Sequence, residues 1–328
     1  MRSTTTLMKN WQFTGPDGNT TTVDLPHTWN NIDGQDGGND YWRGSCTYRT
    51  HFAAPAFDPA AQQVWLQFEG VGDSAKVSLN GTEVISHDGG FSTFRADITA
   101  LLQADNELTV VADNSKNDTV YPQKADFTFY GGIYRTVSLL VVSRDHIALD
   151  YYGGPGVQIT PTVNGSSAEI RVETKVNGGG SIEVAILDAE GREVVAGSGM
   201  DTTLTLDRPH LWDGVRDPYL YTCVVRLMKD GQAVDEVRQR FGVRSFSVDA
   251  KQGFFLNGRP YPLHGVSRHQ DRKGLGNAIT REMHDEDMQL IKEMGANTIR
   301  LAHYQHDQYF YDLCDEAGMV VWAEIPYI

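Results

Sequence analysis

The side chains best suited to chemistry are bunched toward the C-terminal end of the sequence: His269, Arg300, His303 and Glu324. Imidazoles donate and accept hydrogen bonds, a carboxylate accepts them, and a guanidinium holds an acid in place, so these are hydrogen-bonding side chains able to do chemistry where they meet. Their places along the chain are as informative as their types. His269 lies in Ser267-Arg268-His269-Gln270-Asp271, just after the short apolar run Pro262-Leu263-His264-Gly265-Val266. His303 closes the alternating stretch from Ala296 to Tyr304, and Glu324 follows the apolar run Met319-Val320-Val321-Trp322-Ala323. Each stands where a predicted strand ends.

Helices are predicted between those strands. From Asp285 to Met294, the residues Met288, Ile291 and Met294 fall at helical spacing, with Leu290 beside them and Gly295 as the stop. A second helix is predicted from Phe310, Leu313, Cys314 and Ala317 at i, i+3, i+4, i+7, behind Asp307 as cap and before Gly318. Strands alternating with helices predict parallel βα units, whose chemistry collects on the loops after the strands' C-terminal ends. Only three such strands can be read where a closed barrel needs eight, so closure is not expected within this chain. Cys314 is assigned to the core and Trp322 to barrel packing. Arg300 would be costly at a barrel end without an acid partner. On position alone His303 suits a structural hydrogen bond as well as a ligand contact, and Arg268 or Asp271 could simply pair with His269.

Upstream the pattern is β-rich. From Trp11 to about Val142 short alternating runs are separated by turn signals, as in Val64, Leu66 and Phe68 against Trp65 and Gln67, or the hairpin pair Asn80-Gly81. The loops Asp36–Trp42 and Ala125–Gly132 each mix carboxylate, aromatic and glycine residues, a mixture that suits a sugar ring and equally an ordinary turn. A second β-rich unit follows from about His146 to Asp249, with Tyr152-Gly153-Gly154-Pro155-Gly156 as a candidate linker and strand spacing that suits an immunoglobulin-like sandwich. Phe255–Pro260 reads as a hairpin leading into the βα units.

The 328 residues allow two or three domains at roughly 100–200 residues each. Forty-three acidic against 28 basic residues leave a formal charge of -15, which argues against nucleic acid and anionic membrane partners and for a neutral ligand. No apolar run approaches the ~20 residues of a membrane span, and no secretory h-region is read at the N-terminus. The three cysteines, Cys46, Cys223 and Cys314, lack metal-ligand spacing and predict free thiols in a cytoplasmic protein.

The motifs, taken in order, resemble glycoside hydrolase family two. They are Pro209-His210-Leu211-Trp212, Asp217-Pro218-Tyr219-Leu220-Tyr221, Phe241-Gly242-Val243-Arg244, Phe255-Leu256-Asn257-Gly258, Gly265-Val266-Ser267-Arg268-His269 and Asn297–Tyr304. The resemblance implies a multidomain chain: a jelly-roll sugar-binding β-sandwich (1–145), an immunoglobulin-like β-sandwich (146–249) and the first βα units of an incomplete TIM (β/α)8 barrel (250–328). It implies that His269 and His303 surround the non-reducing-end sugar and that Arg300 and Glu324 support the site. Asp126 would reach from the first domain to the sugar, and Asn39 would be a second such contact.

The chain departs from the family pattern at Gln305, where proline is common. It departs again at Ile328, which stands where metal-dependent β-galactosidases carry a carboxylate and so argues against tightly bound magnesium. No cofactor is assigned, although the resemblance leaves room for a monovalent or divalent cation in the full-length parent. The two carboxylates of the retaining mechanism would lie beyond Ile328, so the expectation is the N-terminal part of a β-galactosidase, inactive alone, with a β-galactoside substrate and a homo-oligomeric parent. A β-glucuronidase or a non-catalytic carbohydrate-binding protein are the rival expectations.

Overall fold

The structure, a computed structural model, describes residues 1–32 and 41–327. In the N-terminal unit two antiparallel sheets pack face to face. One runs in the order Ser3–Thr6, Val137–Ser143, Gln62–Phe68, Phe94–Asp97. The other runs Thr20–Val23, Trp11–Thr14, Ser45–Ala53, Asp105–Asp113, Ser74–Leu79, Thr82–Asp88. Period-two alternation drives this packing: along Ser45–Ala53 and Asp105–Asp113 every second side chain is buried, placing Cys46, Tyr48, Leu108 and Val110 in the core with Trp11, Leu66 and Phe68. The Asn80-Gly81 turn forms with both residues at positive φ (51° and 81°), the geometry that suits a two-residue hairpin.

Trp65 departs from the expected alternation. It is buried with Leu140, Val142 and Leu149, because the outer face of this sheet is covered by the chain leaving for the next unit. Arg2 reinforces that junction through Asp235, fully buried, which also accepts the Ile147 amide. The candidate linker 152–156 is likewise pinned: Arg95 donates to the carbonyls of Leu149 and Gly154 at 2.8 and 2.9 Å.

The second unit pairs the sheet Val157–Asn164, Ser167–Thr174, Asp201–Asp207 with the sheet Glu193–Ser198, Ser181–Leu187, Tyr221–Lys229, Gln232–Phe241. Its core is Ile170, Val172, Val184, Ile186, Cys223 and Val225. Trp212 fastens this unit to the C-terminal one by donating to the Asp315 carbonyl at 2.9 Å and packing on Leu256 and Tyr261.

After the small antiparallel sheet Phe246–Asp249, Gly253–Leu256, Arg259–Pro260 come three parallel strands, labelled β1 (Gly265–Arg268), β2 (Thr298–Leu301) and β3 (Val320–Ala323). Two helices, α1 (Arg281–Glu293) and α2 (Gln308–Ala317), cover one face. For α2 the Asp307 side chain accepts from the Tyr309 amide, Gly318 ends the helix at φ 74°, and Phe310 and Cys314 are buried. Helix α1 begins at Arg281, earlier than expected, and buries His284, Met288 and Ile291, whereas Met294 and Leu290 are exposed. The expected stripe holds at Met288 and Ile291; its first turn was not legible because the stripe opens on a histidine, and Met294 is the exposed C-cap. All three cysteines are free and buried. No described helix is long and apolar enough to cross a membrane.

Candidate functional site

The register of the parallel strands decides which side chains meet. Ser267 lies opposite Arg300 and Arg300 opposite Trp322, so these three line the face turned away from the helices, while Ile299 and Leu301 point into the helical layer. All three are exposed, and Trp322, expected to pack inside a barrel, retains 65% of its surface.

At the C-terminal ends of β2 and β3 a compact polar cluster forms. Arg300 Nε donates to Glu324 Oε1 at 2.6 Å, and Glu324 Oε2 lies 2.8 Å from His303 Nδ1. Arg300 Nη2 is 3.3 Å from the same Nδ1. One ring nitrogen cannot both donate and accept, and the shorter, charge-assisted contact assigns the Nδ1 proton to the bond with Glu324. That leaves His303 Nε2 as an acceptor. Burial pushes the Glu324 carboxyl up, but the hydrogen bonds from Arg300 and His303 outweigh it and hold the group below its ordinary value.

His269 closes the other side, its ring centroid 5.2 Å from that of His303. Tyr304 Oη accepts the Gln270 amide at 3.2 Å and lies 3.4 Å from His269 Nδ1, so its proton is aimed at that nitrogen and His269 Nε2 carries the hydrogen. The two imidazoles therefore offer one acceptor and one donor. Burial holds His269 below 6.5, with His303 and Arg300 pushing the same way and the carboxylates of Asp271 and Asp126 pulling back. Asp126 is exposed, yet its electrostatic reach to His269 brings the first domain's loop to this mouth. Asn39 lies outside the described residues.

Phe127 was missed by sequence reading as a site residue. Its ring stacks on His303 at 5.8 Å (17° between planes) and contacts His269 at 5.3 Å and Tyr304 at 5.4 Å. The signal was its adjacency to Asp126 in an aromatic loop. Arg268 is not the partner of His269; it turns into the helical layer, donates to Asp287 at 2.7 and 2.9 Å and to the Nδ1 atoms of His284 and His306, and lies 3.8 Å over Phe310. Asp271 accepts instead from Tyr130 of the first domain at 3.3 Å. Arg135 adds a further tie between domains, donating to the Gln305 carbonyl at 2.5 Å, and Phe91 stacks on Tyr304 at 4.2 Å. Behind Tyr304 a cavity of about 370 Å³ lies between the units, lined by Gln67, Glu69, Phe91, Arg95, Arg135 and Gln305, apart from the predicted site residues. Among the described residues no cluster of three His, Cys, Asp or Glu side chains is arranged to hold a metal ion.

Comparison with known proteins agrees with this architecture. Residues 35–132 match the glycosyl hydrolase 2 galactose-binding domain-like family, 155–244 glycosyl hydrolases family 2, and 247–328 the family 2 TIM barrel domain. A β-glucuronidase of Bacteroides fragilis is 39% identical over 98% of this chain and 49% of its own length. The β-galactosidase BoGH2A of Bacteroides ovatus is 32% identical over 92% of this chain and 37% of its own length. Among solved structures, an FMN-binding β-glucuronidase from Facaelibacterium prausnitzii L2-6 superposes with a TM-score of 0.96 at 44% identity, covering 99% of this chain and 52% of that one. The chain thus spans about half the length, or less, of the relatives it matches. With all three of its units matched in family order, the chain belongs to glycosyl hydrolase family 2.

Proposed function

We propose that this chain is the N-terminal part of a retaining β-glycosidase that removes a terminal, non-reducing β-linked sugar, a glucuronide first and a galactoside second. The observation that carries the reading is the convergence of Phe127 and Asp126 from the first domain on His269 and His303 at the barrel-strand ends. An aromatic face beside one imidazole acceptor and one imidazole donor suits a pyranose, which presents an apolar face and hydroxyls that both donate and accept. In this reading His269, His303 and Asp126 contact the sugar, with Asn39 as a further contact, and Arg300 and Glu324 fix the His303 tautomer. Galactose was the sequence expectation. The relatives move the balance, since those at 39% and 44% identity are named β-glucuronidases and the β-galactosidase BoGH2A stands at 32%.

A retaining mechanism uses two carboxyl groups about 5–5.5 Å apart, one as nucleophile and one as acid then base. Both oxygens of Glu324 are engaged, by Arg300 and His303, so it is an anchoring acid and not the nucleophile. The reading assigns both catalytic carboxylates to barrel strands outside this sequence, and the 328-residue chain alone should not hydrolyse glycosides. It also divides the chain at 145/146 and 249/250. The test compares chromogenic β-glucuronide and β-galactoside with the complete enzyme and with this chain. Preference for the glucuronide by the enzyme and silence of the chain are expected. Hydrolysis by the purified chain would defeat the reading, as would a complete protein that binds sugar and cleaves neither substrate.

A further inference from the structure

The loop that carries Asp126 and Phe127 has no strand register to position it, yet its base is held by two fully buried asparagines 84 residues apart in sequence. Asn114 Nδ2 donates to Asn30 Oδ1 at 3.0 Å and to the Phe129 carbonyl at 2.8 Å. Asn30 Oδ1 also accepts the Gly131 amide at 2.9 Å, and Thr28 Oγ1 donates to the Gly131 carbonyl at 2.6 Å. The outer ends are fixed as well: Gly44 N donates to Asn114 Oδ1 at 2.9 Å, and Asn30 Nδ2 donates to the Trp42 carbonyl at 2.8 Å. Backbone groups of known polarity thus dictate the orientation of both amides, and reversing either one would set like atoms against each other. Arg43 completes the clamp by lying 4.7 Å over the Phe129 ring, which packs on Phe127 at 5.4 Å.

We infer that the Asn30–Asn114 amide pair is a latch that sets where Phe127 and Asp126 stand against His269 and His303, making both asparagines positioning residues for the site. The effect on sugar turnover rests on the glycosidase reading; the latch itself does not.

The two amides are not equivalent, and that supplies the test. Asn30→Asp keeps the oxygen that accepts from Gly131 and Asn114; at the described loop contacts it disturbs the bond to Trp42, setting one carboxylate oxygen against that carbonyl. Asn114→Asp loses both bonds directed at the loop and its partner, and sets a carboxylate oxygen against two carbonyl oxygens. Both variants bury a carboxylate, so both lose stability. In the 328-residue chain, nuclear Overhauser effects between the Phe127 ring and the rings of His269 and His303 should persist in N30D and vanish in N114D. Their absence from both variants, or their persistence in both, overturns the latch. If N114D does not fold, Asn114→Ala removes both loop-directed bonds without burying a charge; lost Overhauser effects there support the latch and unchanged ones overturn it. In the complete enzyme N114D should lower kcat/KM by about tenfold to a hundredfold relative to N30D, the scale of a small misplacement near the reacting sugar. If the ring-to-ring signals vanish in N114D as expected but the complete enzyme has no glycosidase activity, the functional reading falls and the latch stands.

Discussion

Replacing His306 by glutamine isolates one electrostatic cost stored beside the site. His306 is buried, with Nδ1 3.1 Å from Arg268 Nη1 and Nε2 donating to the Ala302 carbonyl at 3.0 Å, so both nitrogens are committed to the neutral ring. Burial pushes its pKa down to about 3; the Ala302 bond works against this, and Arg268, Arg135 and His269 add to it. The sign follows from linkage: with a folded pKa below the unfolded one, the unfolded chain binds the extra proton as pH falls through 6.5, so stability is present above that pH and drains away toward 3. At about pH 5 the loss is about 2 kcal/mol, or about 30-fold in an opening equilibrium, from about 1.4 kcal/mol per pH unit. Burial pushes the Asp73 carboxyl up to about 7, so its contribution runs the opposite way in the same window. Asp73 is common to wild type and H306Q and cancels in their difference. Hydrogen exchange of the Ile299, Leu301 and Phe310 amides, corrected for intrinsic rates at about pH 7.5 and 5, reads that difference. Burial also holds His284 and His27 down to about 4 in both proteins, so both should lose protection on acidification and wild type should lose about 30-fold more than the variant. Parallel behaviour of the two proteins, or a His306 ring that titrates near 6.5 in the folded chain, would rule out a neutral ring held by burial.

Arg268→Leu leaves the partly exposed Asp287 carboxylate to water and strands two imidazole acceptors, and should cost about 1–3 kcal/mol in denaturant unfolding of the βα segment; an unchanged stability would mean the pairs contribute little. Gly131→Ala would place a Cβ 1.9 Å from Trp29 Cζ2, so the first sandwich should lose about 1–3 kcal/mol or more, and an unchanged melting temperature would contradict the packing. Asp126→Ala should leave that sandwich as stable as before, lower the His269 pKa by removing an attractive carboxylate, and weaken sugar binding in the complete enzyme. A destabilised domain with an unmoved His269 titration would make Asp126 a turn residue.

Legibility in the sequence followed the range of the interactions. The hairpin turn at Asn80-Gly81 and the stripe of α2 from Asp307 to Gly318 are local patterns, and they could be read directly. The start of α1 could not, because its buried stripe opens on His284, which is held in the interior only through Arg268 from a different element. Trp65 follows the same logic: alternation put it outside, and the neighbouring Leu149 covered it. At the site, Arg300, His303 and Glu324 could be grouped because strand ends converge in any parallel sheet. Phe127 could not, since a loop aromatic has no period and its partners His269 and His303 belong to another domain.

The same distinction explains how the site is built. Arg300 lies within β2, and His269, His303 and Glu324 follow strands whose pairing fixes their heights, so the backbone ladder already opposes most of the freedom they would lose. Phe127 and Asp126 sit in a segment with no such ladder, where ordering each residue costs about 1–2 kcal/mol. Hydrogen bonds that the segment accepts from Thr28 and Asn114 and donates to Asn30, each worth about 1 kcal/mol net, are the compensation available at its base. Leaving any of those buried groups unpaired would cost more than the bond contributes, so the bonds form together or the loop shifts as a whole. Under the proposed reading, a site assembled across two domains in this way depends on Asn30 and Asn114 as well as on His269 and His303, although these two asparagines hold the loop from its base.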